Sequence, residues 1–356
     1  ELEKRNLGQD IPILLNYLPS VVTTSDAGAG VGYTGIRVRG VSSQSTNITI
    51  NGIPYNDSES LGTFWVNLGD MSSSVESLQL QRGVGTSTNG AGAFGASINV
   101  LTDAVTKDAK GEISNSFGSF NTRKHTVKYS TGLLNNNFEI SGRLSQINSD
   151  GYIDRATSDL KSYFLQGAYV DDNRLIKAVV FGGQGITYQA WNGIDAATLE
   201  NDRTFNPSGQ YIDQNGNTRF YDNEVDNYKQ DHYQLHWNEK INNNWSTNLG
   251  LNYTYGRGYF EQYIEDEDFS TYGFNEIATG GETINQTDVI RRRWLDNDFY
   301  VLNANVNYKD ETLNLSTGLF YSSYHGDHFG EVIWAEYASN SEIRDRYYEG
   351  DGDKYD

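Results

Sequence analysis

From residue 106 onward, apolar and polar residues alternate with a period of two, and this constrains the fold more than any other feature. Tyr300, Leu302, Ala304, Val306 and Tyr308 are interleaved with Asn303, Asn305 and Asn307. Leu249, Leu251, Tyr253 and Tyr255 alternate with Asn248, Gly250, Asn252 and Thr254. Tyr233, Leu235 and Trp237 alternate with His232, Gln234, His236 and Asn238. The same holds for Phe138, Ile140 and Leu144 against Glu139, Ser141, Arg143 and Ser145, and for Leu313, Leu315, Leu319 and Tyr321 against Asn314, Ser316 and Gly318. Such segments are strands with one apolar face. A slip of one residue would exchange the two faces, so the registers are well specified.

The pattern predicts about nine strands: 111–118, 122–131, 137–148, 161–170, 175–185, 228–239, 245–257, 298–308 and 312–324. The connections between them alternate in length. Short ones lie near 132–136, 171–174, 240–244 and 309–311, and long ones at 149–160, 186–227, 258–297 and from 325 onward. Tight turns on one rim and long loops on the other are the mark of an antiparallel transmembrane β-barrel. The apolar-phase residues beside the short turns are Tyr129, Phe138, Tyr169, Trp237, Trp245 and Tyr308, all aromatic. A membrane interface favours such rings, with one apolar end and one wet end. On this reading Leu251 faces lipid. A soluble carbohydrate-binding β-sandwich with an aromatic core is the alternative of another class. It would alternate too, but it explains neither the loop asymmetry nor the belt. Nine strands leave two edges, which lipid does not tolerate. The chain is therefore expected to be a fragment whose barrel is closed by further strands.

Composition agrees. The 356 residues carry 27 Lys+Arg against 47 Asp+Glu, a formal net charge of −20, which argues against nucleic acid as a partner. There is no Cys, so disulfides and thiol chemistry are excluded. No apolar run approaches the roughly 18 residues of a spanning helix. The 25 Tyr and 37 Gly beside 4 Pro suit long strands joined by turns and polar loops.

Residues 1–105 read differently and predict a small α+β domain ahead of the barrel portion at 106–356. Leu7–Leu18 is a candidate short helix ended by Pro19, and Ile48–Ile50 and Val75–Leu80 are candidate strands. Five segments in order carry a resemblance. They are Asp10-Ile-Pro-Ile-Leu-Leu with Leu18-Pro-Ser-Val21; Ile36-Arg-Val-Arg-Gly40; Ile50-Asn-Gly-Ile-Pro54; Val75-Glu-Ser-Leu-Gln-Leu-Gln-Arg-Gly83; and Asn89-Gly-Ala-Gly-Ala-Phe-Gly-Ala-Ser-Ile-Asn-Val-Leu-Thr102. Together they resemble the plug domain of TonB-dependent outer-membrane receptors. Asn51 stands for the usual Asp, Asn89 for Tyr and Ala96 for Gly.

The resemblance implies a plug inside a barrel of about 22 strands, of which this chain supplies the plug and under half the wall. It implies active import across the outer membrane of a Gram-negative bacterium, with the plug rearranged by TonB pulling on a segment expected before Glu1. The commonest substrate class is a ferric siderophore, a small-molecule chelate; haem, cobalamin, oligosaccharide and peptide are alternatives, and a passive porin would lack a plug. Lipopolysaccharide is an expected neighbour, and a surface lipoprotein capping the barrel is compatible with the family. Neither a cofactor nor an enzymatic activity is expected, because no Ser-His-Asp set or paired-carboxylate site stands out.

Candidate residues follow. Arg39 and Arg82 match plug arginines that face wall carboxylates in the family, and Glu76 is expected to join them. Charge-assisted pairs at a wet interface fix orientation at small net worth, which suits a releasable plug. Tyr55, Asp57, Phe64 and Trp65, on the outward plug surface, and Tyr188 and Trp191, in the loop 186–227, are expected to contact substrate; Phe64 and Trp65 equally suit the plug core. Gly83, Gly85, Gly90, Gly92 and Gly95 are expected to serve tight packing. Glu265–Asp268 and Arg291–Arg293 are expected on a solvated loop, with lipopolysaccharide as the alternative contact. His232 and His236 sit roughly 13 Å apart on one strand face, too far for one metal. His325 and His328 form the compact pair, expected in a polar loop.

Overall fold

The computed structural model describes residues 2–84, 94–343 and 347–348. The N-terminal domain is built on a four-stranded mixed sheet in the order β4-β3-β6-β5, from β3 (Thr46–Ile50), β4 (Ile53–Pro54), β5 (Val75–Arg82) and β6 (Ala96–Thr102). β1 (Val21–Ser25) and β2 (Thr34–Val38) form a separate hairpin. The expected helix over Leu7–Leu18 shrinks to Ile11–Leu14. Pro12 is tolerated in the first turn, where its missing N–H would have no partner, but two prolines within eight residues leave room for little more than one turn.

The rest is one antiparallel sheet. Its consecutive strands are β7 (Lys110–Phe117), β8 (Arg123–Ser130), β9 (Phe138–Ser149), β10 (Ser158–Val170), β11 (Arg174–Tyr188), β14 (Val225–Lys240), β15 (Trp245–Asp268), β18 (Gln286–Lys309), β19 (Asn314–Ala335) and β20 (Tyr347–Tyr348). The small hairpins β12–β13 (Gln210–Ile212, Thr218–Phe220) and β16–β17 (Ile277–Thr279, Glu282–Ile284) sit within the long connections. All nine strands read from the sequence are present. The edges β7 and β20 do not pair with each other, so the sheet is open across the described residues.

Three strands run further than the alternation suggested: β15 to Asp268, β18 from Gln286 and β19 to Ala335. The charged runs expected on a loop therefore belong to strands. Arg292 pairs with Glu261 at 2.7 Å across β15–β18, and Arg291 donates to Gln262 at 3.3 Å and to Tyr272 at 3.1 Å. The extension was invisible to periodicity because apolar residues fall on both of its faces among charged ones, as with Phe260 and Ile264 on one side of β15 and Tyr259 and Tyr263 on the other. His325 and His328 also lie on β19, three residues apart and so on opposite faces. His325 approaches Asp327 at 3.3 Å, while His328 reaches Glu59 of the plug at 2.9 Å. No cluster of three metal-binding side chains occurs among the described residues.

The outer face is apolar. Tyr233, Leu235, Trp237 and Leu251 are exposed, whereas His232, Gln234 and His236 between them are buried toward the plug. Phe138 packs on Tyr169 with centroids 5.0 Å apart, and Trp245 on Tyr308 at 4.9 Å. The Tyr169 and Tyr308 hydroxyls donate to Asp171 (3.0 Å) and Asp310 (2.6 Å) in the turns just beyond. A second aromatic row lies at the other end, where Tyr233, Tyr253 and Tyr300 stack in register.

Candidate functional site

The segment that rises to the plug apex, residues 55–64, starts from a tight turn set lower against the wall. Asn51 and Gly52 have φ of 54° and 79°, a region open to Asn and Gly at little cost. The Asn51 carboxamide oxygen accepts from the Thr102 N–H at 3.0 Å, and its nitrogen donates to Gln234 of the wall at 3.1 Å. The following loop is tied by Asn56, which accepts from the Ile48 N–H at 2.7 Å, and by Asp57, which accepts from the Ser60 N–H at 2.7 Å. Tyr55 donates to Gln230 at 3.2 Å, and Tyr33 donates to Asp226 at 2.7 Å. Burial raises both phenols, and the Asp226 carboxylate adds to the rise at Tyr33.

Between this apex and β14–β19 lies a cavity of about 490 Å³. Tyr55, Asp57, Phe64 and Trp191 line it, together with Phe260 and Tyr324. Trp191 stands edge-on to Tyr33 at 5.2 Å and to Phe260 at 6.2 Å. Trp65 lies elsewhere: it is 3% exposed, inside the plug core with Leu68 and Met71. Tyr188 is buried as well, its hydroxyl donated to the carbonyls of Ser208 (3.1 Å) and Tyr221 (2.8 Å), where it braces the 189–224 loop.

Beneath the apex, the plug meets the wall through charge. Asp70, at φ 49°, sits in the turn before Met71–Ser74. Lys124 of β8 reaches its carboxylate at 2.9 Å and Arg143 of β9 at 3.3 Å, with the lysine side chain 1% exposed and the aspartate 0%. Thr126 (2.7 Å), Ser145 (2.6 Å), Asn6 (3.1 Å) and Ser73 (2.6 Å) donate to the same carboxylate. Burial alone would raise this acid; Arg143 and Lys124 overcome that and hold it well below the usual carboxylate range. Lower down, Lys128 pairs with Asp103 at 2.8 Å, and Lys177 donates to the Thr102 hydroxyl at 3.0 Å and the Asp103 carbonyl at 2.8 Å.

Sequence reasoning missed this network. It singled out plug arginines, whereas the pairs seen along β8 and β9 set plug aspartates against wall cations. Arg39 and Arg82 are exposed, Arg82 donates to the Pro19 carbonyl at 3.2 Å, and Glu76 is exposed on β5. Among the described residues none of the three is paired with a wall charge. A readable signal existed. Lys124, Lys128, Arg143 and Lys177 fall in the inward phase of their strands, and a charge pointing into a filled barrel needs a partner there. Gly95 serves close approach: a Cβ there would lie 2.9 Å from the Val41 side chain. Gly83 is in the left-handed region at φ 95°, and Gly85, Gly90 and Gly92 lie outside the described residues.

Residues 1–97 match the TonB-dependent Receptor Plug Domain family model. A probable TonB-dependent siderophore receptor, PirA of Acinetobacter baumannii, is 25% identical over 222 residues, 56% of this chain and 27% of that protein. Among solved structures, the ferripyoverdine receptor of the Pseudomonas aeruginosa outer membrane superposes with a TM-score of 0.61 at 14% identity, covering 98% of this chain and 44% of its own. The copper transporter OprC does so at 0.67 and 13% identity, covering 98% and 48%. The chain thus spans about a quarter of the curated relative and under half of each of these structures. Residues 1–97 thus match the plug-domain family, and the chain as a whole shares the fold of the plug and part of the barrel of TonB-dependent receptors.

Proposed function

We propose that the whole protein imports a bulky ferric siderophore complex across the outer membrane, with TonB of the inner-membrane energising complex supplying the pull that rearranges the plug. The observation that carries this reading is the aromatic cavity between the plug apex and the wall, on the side where loops are long. Its volume of about 490 Å³ falls in the range of ordinary small-molecule sites. Ring faces with a few polar groups suit a large chelate better than a bare ion. The relative named as a siderophore receptor and the ferripyoverdine-bound neighbour support the substrate class. Tyr55, Asp57, Phe64 and Trp191 are proposed as substrate contacts, Asp57 through the loop it ties.

The test is uptake of radiolabelled ferric siderophores by cells carrying the full-length gene, with and without active TonB. TonB-dependent uptake supports the reading, and uptake without TonB overturns it. Uptake of haem, cobalamin, an oligosaccharide or a peptide instead would replace the substrate class. For the ligand so found, Tyr55→Ala with Trp191→Ala is expected to weaken binding about tenfold or more.

A further inference from the structure

Along the described part of the wall the plug is not held evenly. Toward β8–β11 its contacts are buried and charged. Asp70 lies between Lys124 and Arg143, Asp103 pairs with Lys128, and Lys177 grips the end of β6. Main chain joins main chain there too: the Tyr152 N–H donates to the Ala27 carbonyl at 2.7 Å. Phe164, Val179 and Phe181 of that wall complete the plug core. Gly69 lies flat on β10, where an added Cβ would stand 3.8 Å from the Cβ of Ser162.

Toward β14–β19 the contacts are sparse. Asn51–Gln234 (3.1 Å), Tyr55–Gln230 (3.2 Å), Asn303 to the Gly52 carbonyl (3.3 Å) and Tyr33–Asp226 (2.7 Å) are single hydrogen bonds. The ion pair between His328 and Glu59, at 2.9 Å, is over a third exposed on both partners. The apex cavity lies in this same seam.

We infer that the plug is hinged: under load it stays fastened along β8–β11 and parts from β14–β19 first, so the passage opens where the cavity already lies. This rests on the reading of the protein as an importer.

The first test needs no substrate. These 356 residues contain no Cys, so Ser162→Cys and Gln234→Cys, made with any cysteine elsewhere in the receptor replaced by Ser, each place a single thiol on the wall beneath the plug. In the full-length receptor in lipid vesicles, maleimide should modify Gln234→Cys at lower urea and about tenfold faster than Ser162→Cys. The reverse order, or equal rates, overturns the hinge. The second test is transport, with radiolabelled iron supplied as a trihydroxamate, a tricatecholate and a hydroxycarboxylate complex. A Gly69→Cys/Ser162→Cys disulfide, at a spacing that bond accepts, should leave uptake within about twofold of the reduced form. A short bis-thiosulfonate bridge in Asn51→Cys/Gln234→Cys should abolish uptake until reduced. Loss with the first pair or persistence with the second overturns the proposal. Absence of uptake by the unmodified receptor would count against the importer reading, and the order of alkylation would still decide the hinge.

Discussion

Asp70 shows how much a single side chain can settle. Its carboxylate collects two cations and four neutral donors in a site closed to water. Removing one member of such a buried pair costs about 3–5 kcal/mol, against about 0.5–1.5 kcal/mol for an ordinary hydrogen bond. Asp70→Asn strands Lys124 and Arg143, so unfolding of the full-length receptor in urea should show a loss of about 3–5 kcal/mol at neutral pH. The acid dependence has a definite sign. The folded-state pKa of Asp70 is depressed, so its contribution is present above the unfolded value of about 3.9 and is lost as pH falls toward the folded value. Wild type should therefore lose more stability than Asp70→Asn between about pH 5 and about pH 3. Asp10 behaves oppositely. Burial raises it, Thr34 donates to it at 2.9 Å, and its contribution is lost as pH rises through its folded value. Asp10→Asn should leave the neutral-pH urea midpoint unchanged or raise it. None of this was legible one residue at a time, because Asp70 in sequence is an acid in a Gly-Asp turn. Its partners were legible as inward charges without an address.

At the scale of the element, the β15–β18 pair separates what a pattern can reveal from what it cannot. Between the aromatic rows one face of the pair is apolar and turned outward, and the other is polar and turned toward the plug. Alternation is therefore strict, and register could be read directly. Leu251 is 39% exposed on the outer face. Near the bilayer midplane Leu251→Arg should cost roughly 2–4 kcal/mol in vesicle unfolding titrations, and an unchanged midpoint would remove it from the lipid face. Past Tyr253 apolar and charged residues mix on both faces, and the ladder persists through cross-strand pairs such as Arg292–Glu261. Sequence carries no period there, which is why the extension read as loop.

At the scale of the molecule, the plug and wall share one core. Ile48, Ile50 and Ile98 of the plug pack in a cluster that also contains Phe164, Val179 and Phe181 of the barrel. Residues 1–105 expressed alone lack that side and the cations that offset Asp70. Their amide proton spectrum is expected to be collapsed and poorly dispersed, and a well-dispersed spectrum would show the plug to be self-sufficient. The family resemblance was legible because turn glycines and strand-end arginines recur at fixed spacing. The sense of the plug–wall charge pairing was not, since it depends on which strand stands opposite which plug turn. The two aromatic rows have a consequence of their own. Trp245 pairs with Tyr308 and Tyr253 with Tyr300, so the rows are eight intervals apart on both strands. At ~3.3 Å per residue and a tilt of roughly 40°, that leaves about 20 Å of height. A bilayer of long, saturated acyl chains would have to pinch around the protein or drown its tyrosine hydroxyls in hydrocarbon. Short-chain lipids are thus the solvent in which this wall is at rest.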